Sequence, residues 1–143
     1  MLMPENSNEI FKLLIEKGTV FLNQFDIPAD HKKFFIVAGH SPDKIITCAV
    51  YINSNIHTAL YKNQILLNLQ VNIKGVKYSF LKHDSFVCCS TPLFITTDNI
   101  MKWINDNRCK YIGCIDSEDL ENITDTLIDS GLLTDEEIEL FFS

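Results

Sequence analysis

Between Thr19 and Ser90 the chain is a succession of short runs rich in β-branched and aromatic residues, each cut off by a cluster of turn formers. Thr19–Phe25 breaks at Asp26-Ile-Pro-Ala-Asp30, and Lys33–Gly39 ends at His40-Ser-Pro-Asp43. Lys44–Ile52 follows, with Ile46, Cys48, Val50 and Ile52 on one face, then Gln64–Leu69, then Ser85–Cys89, closed by Pro92. Tyr78–Leu81 suits either a short strand or a loop. Short strands at close intervals predict an antiparallel sheet bent into a small barrel.

Helical texture flanks this region on both sides. Asn6, Ser7 and Glu9 form a helix start, and Ile10, Phe11, Leu14 and Ile15 recur at helical spacing until Gly18. After the barrel, Thr97 and Asp98 are placed to cap a helix through Ile100, Met101, Trp103 and Ile104, and Tyr111–Ile115 suits a last short strand. Ser117 caps a helix carrying Leu120, Ile123 and Leu127, which finishes at Ser130-Gly131. Thr134-Asp-Glu-Glu137 has capping-box spacing and opens a final short helix. The expected fold is therefore mainly β with helices (α+β), in one domain over residues 1–143. Its parts are an N-terminal helix over 1–17, a barrel over 18–95 and a helical addition over 96–143.

The chain's 143 residues, 46% hydrophobic with ten Phe, suffice for one real core and are too apolar for a disordered chain. No apolar run approaches the roughly 18 residues of a membrane span, and the start lacks the layout of a signal peptide. Five cysteines, two of them adjacent at Cys88 and Cys89, read as reduced thiols in a cytoplasmic protein. The net charge of −7 is unevenly spread. Asp116 to Ser143 holds ten acidic residues and no Lys or Arg, so the remainder, with all 12 basic residues, is mildly basic. The bland reading of the tail is a solvated helical face. The alternative is that its helix docks on the barrel through Leu120, Ile123 and Leu127, with its carboxylates weakening any polyanion at the rim.

His31, His40, His57 and His83 show no His-x-x-x-His pattern, and Cys109 and Cys114 lie five apart, so neither a metal nor another cofactor is expected. The chain has no phosphate-binding glycine loop and no nucleophile elbow. The polar residues that remain fall at three strand ends: Asp30-His31-Lys32-Lys33, Asn53-Ser54-Asn55 with His57, and Lys82-His83-Asp84-Ser85. In a small barrel such ends can converge on one rim, where Lys would bind a phosphodiester and His or Asp move a proton. Each also has a plainer role: Asp84 and Ser85 as turn caps, Lys32-Lys33 as a solvated loop, Asn53-Ser54-Asn55 as a turn.

Gly18-Thr-Val-Phe-Leu-Asn-Gln-Phe25, then a charged loop and Lys32-Lys-Phe-Phe-Ile-Val-Ala38, resembles the opening of the PemK/MazF plasmid-maintenance toxins. Lys44 to Ser54 is similar to that family's third strand. Phe80-Leu-Lys-His-Asp-Ser-Phe-Val resembles a His-Asp-Ser-aromatic-Val segment of its uncharacterised PemK-like branch. The likeness covers Gly18 to Thr91, about half the chain. It implies an SH3-like antiparallel barrel, a homodimer, an antitoxin partner and endoribonuclease action on single-stranded RNA. The family's catalytic Arg maps onto Lys32 or Lys33, its catalytic hydroxyl onto Ser54, while His31, His83 and Asp84 would bind substrate. Phe34 stands where the family commonly has a proline, and the chain's single arginine, Arg108, lies outside the matched segment. Lys holds a phosphate as a point charge without the bidentate contact that Arg makes. A second expectation, of a different class, is a catalytically silent barrel that binds a peptide or protein.

Overall fold

A computed structural model describes residues 10–24, 32–56 and 62–143. After a helical turn at residues 10–12 come strands β1 (Thr19–Gln24), β2 (Lys32–His40) and β3 (Ile46–Asn53). A short helix α1 (Gln64–Leu67), strand β4 (Gln70–Ile73) and a 3-10 turn (Gly75–Lys77) lead to the long strand β5 (Ser85–Thr96). Helix α2 (Thr97–Asn105), strand β6 (Cys109–Cys114) and helices α3 (Ser117–Asp129) and α4 (Asp135–Phe142) complete the order. All strand pairings are antiparallel, in the spatial order β4-β5-β3-β2-β1-β6.

The α+β class read from the sequence is the architecture found, but the sheet is open. Its edges are β4 and β6, and no ladder joins them among the described strands. Helices, not a closed wall, cover its two faces. Val20, Ile36, Ala38, Val50, Ile52 and Val87 form one core with Ile123 and Leu127 of α3 and Leu133. Phe21, Phe35, Val37, Ala49 and Ile95 form a second core on the opposite face, with Phe11, Ile15 and Ile100 of α2. A sheet buried on both sides explains why β2 carries an unbroken apolar run from Phe34 to Ala38 where a half-exposed strand would alternate.

Two strand expectations are corrected, one of them the strand from Ser85, which does not close at Pro92 but runs on to Thr96. Gln64–Leu69, read as a strand, is the helix α1 and its exit. Asn63 caps it by accepting from the Leu66 amide at 3.2 Å, and the strand begins one residue later at Gln70. Asn is a strong N-cap, and that local bond outweighs the β texture of the run. Of the two forms open to Tyr78–Leu81, the loop is the one found, pinned by aromatic contacts, with Phe80 5.3 Å from Phe34 and 5.4 Å from Tyr78 between ring centroids. The helix caps lie one residue earlier than read, at Thr96 and Asp116, whereas the capping box at Thr134 and Glu137 is present with both bonds made. Gly39 lets α4 approach β2: a Cβ there would lie 2.5 Å from the Phe141 carbonyl oxygen.

Candidate functional site

Register places the three polar groups at one end of the sheet. Lys32 pairs with Gln24 where β1 ends and β2 begins, Asn53 pairs with Phe86 where β3 ends and β5 begins, and His83 and Asp84 directly precede β5. β3 separates β2 from β5, so the lysines and the His83 loop stand about two strand spacings, ~10 Å, apart. His31 lies outside the described residues, as does His57.

Lys33 is the organised member. Its ammonium donates to the Asn53 carbonyl Oδ1 at 2.8 Å and sits 5.1 Å from the centre of the Tyr51 ring, so an amide dipole and an aromatic face together fix its position. Ser54 follows Asn53 in an exposed bend. Lys32, one residue away on the strand, turns to the opposite face and is exposed. His83 and Asp84 serve their own loop. Asp84 Oδ1 accepts from the Gly75 amide at 2.8 Å, its other oxygen lies 3.6 Å from Lys74, and His83 Nδ1 lies 2.8 Å from the Asp84 carbonyl oxygen. The Gly75 amide, then Lys74, holds the Asp84 carboxyl below its ordinary range. Asp84 is thus a turn anchor, the plainer of its two roles.

Around Lys33 the sheet presents side chains the sequence reading had not joined. Cross-strand neighbours on this face run Cys109, Asn23, Lys33, Asn53, Phe86, Asn72, from β6 across to β4. The next row runs Tyr111, Phe21, Phe35, Tyr51, Cys88, Gln70. Polar groups thus interrupt an otherwise apolar face at its strand-end border. Asn23 is fully buried, and neither its amide nitrogen nor its oxygen has a hydrogen-bond partner among the described residues. Leaving such a group unpaired costs about 1–3 kcal/mol. The signal was in the sequence: Asn23 occupies the same face of β1 as Phe21, one alternation further on.

Cys88 also lies on this face. Burial pushes its thiol up, but bonds from Ser90 Oγ at 3.1 Å, Thr91 Oγ1 at 3.6 Å and Gln70 Nε2 at 3.6 Å outweigh burial and leave it below the ordinary thiol value. Cys48, Cys89 and Cys109 lack such a set, and burial raises each to about 12. The acidic helix α3 lies on the other face of the sheet. Its Asp119, with Asp116 before it, engages Lys77 at 3.0 and 2.6 Å, and Asp119 accepts from the Tyr78 hydroxyl at 2.5 Å.

Among the described residues no trio of His, Cys, Asp or Glu is placed to hold a metal, and no helix is long and apolar enough to cross a membrane. No protein-family model and no curated protein matches the chain.

Proposed function

We propose that the chain is a PemK/MazF-like toxin-type protein that takes single-stranded RNA on the strand-end face carrying Asn23, Lys33 and Asn53. The observation that supports this best is the pre-positioned Lys33 ammonium, held by Asn53 and the Tyr51 ring, with the exposed Ser54 next in sequence after Asn53. A fixed cation suits a phosphodiester, and the half-buried rings of Tyr51 and Phe86 with the exposed ring of Tyr111 suit unstacked bases. In the endoribonuclease form of the reading, Lys32 or Lys33 binds the scissile phosphate and Ser54 lies at the reacting hydroxyl position. A cytoplasmic location, a homodimer and an antitoxin partner go with this reading.

A second reading, a catalytically silent binding module, is favoured by one observation: His83 and Asp84 are engaged within their own loop, not directed at Lys33. Binding and cleavage separate the two. Fluorescence anisotropy with a labelled single-stranded RNA, run beside a cleavage assay on the same RNA, should show binding that Lys33→Ala weakens about fivefold or more, and cleavage that Ser54→Ala removes. Binding without cleavage supports the silent module. Absence of both ends the RNA reading.

A further inference from the structure

Strand β4 has one partner. It pairs with β5, and its other edge is open among the described strands. The Cys89 amide donates to the Leu69 carbonyl at 2.9 Å. Alternation along an antiparallel ladder then directs the main-chain groups of Val71 and Ile73 at β5 and those of Gln70 and Asn72 outward. Beside this edge lies a cleft of about 600 Å³ between β4 and α3. Asn68, Val71 and Asn72 line the strand side, and Asn122, Asp125 and Asp129 line the helix side. The ion pairs among the described residues use Glu16, Asp84, Asp116 and Asp119, so no described cation pairs with Asp125 or Asp129 at the cleft.

We infer that this cleft takes an extended, basic segment of a partner protein as an added strand on β4. The outward N–H and C=O groups of Gln70 and Asn72 supply the main-chain bonds, as in other cases of strand addition. Side chains of the added strand alternate, and those on the α3 side meet Asp125 and Asp129, so Lys or Arg there completes the charge. Charge also argues against the other obvious occupant. Pairing β4 with β4 of a second copy would bring two such acidic walls together in a chain of net charge −7. The site lies apart from Lys33 and does not depend on the RNA reading.

The test uses the full chain and a fluorescein-labelled peptide of alternating Val and Lys, compared with the same peptide N-methylated at alternate residues. The expected result is saturable binding that weakens about tenfold or more on N-methylation and up to about fivefold for each of Asp125→Asn and Asp129→Asn. Hydrogen exchange adds a protein-side readout: the Gln70 and Asn72 amides gain protection with peptide bound, while Lys33→Ala changes nothing. Asn72→Pro removes one outward donor at an edge position that tolerates proline, and it should weaken binding comparably. If that variant does not fold, the methylated peptide still decides. Binding indifferent to N-methylation, or no binding, overturns the proposal. So does light scattering that shows a peptide-free dimer broken by Asn72→Pro, which would assign the edge to self-pairing.

Discussion

At the scale of single residues, two side chains on one sheet face carry opposite lessons. Asn23 is buried and unpaired, which costs stability, and it adjoins the organised cation Lys33. Replacing it with Leu should therefore stabilise the fold by about 1–2 kcal/mol in urea titration. Cys88 differs from its neighbours by its three hydrogen-bond partners, Gln70, Ser90 and Thr91. Timed alkylation with mass-spectrometric mapping should modify the exposed Cys114 first, Cys88 next, and the buried Cys48, Cys89 and Cys109 last. Labelling of Cys89 ahead of Cys88 would contradict the local electrostatics. Neither residue was singled out by motif, because a lone Asn or Cys in a strand acquires meaning only from what the adjacent strands put beside it.

At the scale of elements, the helices owe their positions to apolar faces and their ends to side-chain caps. In α3, Ile123 and Leu127 are fully buried against the sheet, and truncating either to Ala should cost about 2–5 kcal/mol. The capping box of α4 is solvent-exposed, so Thr134→Ala should cost only about 1 kcal/mol. Gly39→Ala tests how closely α4 sits. The added methyl would meet the Phe141 main-chain carbonyl first and the Phe142 ring next, and should destabilise by about 1–3 kcal/mol. Helix periodicity and the Thr134 box were legible because they are local. The Gln64–Leu69 run was misread because a four-residue helix is too short for its period to show, and its deciding feature was the preceding Asn63.

At the scale of the whole molecule, charge is sorted by face. Lys33 lies on the α2 side of the sheet and the acidic α3 on the other, so the idea that the tail shields Lys33 loses its geometry. The tail is structural instead. Removing everything after Ile115 would expose Val20, Ile36, Val50 and Val87, and the truncated chain should fail to fold by circular dichroism and calorimetry. The Asp116 carboxyl, held low first by its bond from Lys77 and then by the Asp119 amide, links the Gly75–Lys77 turn to the start of α3. Its folded-state pKa is depressed, so its contribution is complete above the unfolded carboxylate value of about 3.9 and disappears as pH falls through the lower folded value. Thermal melts in that acidic window should show a shallower pH slope for Asp116→Asn than for the parent chain.

What the sequence determined by itself was local: the number and rough bounds of most strands, the helices after Thr96, the apolar stripe of α3, and the uneven division of charge. Those follow from periodicity, capping and composition, which act within a few residues. Closure and company were decided by the tertiary structure. The sheet stays open because α2 with the N-terminal helical turn covers one face and α3 with α4 the other, so no barrel wall is needed to exclude water. Strand register then made one border of Asn23, Lys33 and Asn53, and left the outer edge of β4 facing Asp125 and Asp129. Residues ten to thirty positions apart meet at that border only because antiparallel pairing fixes which side chains stand opposite, and no spacing along one chain encodes that choice.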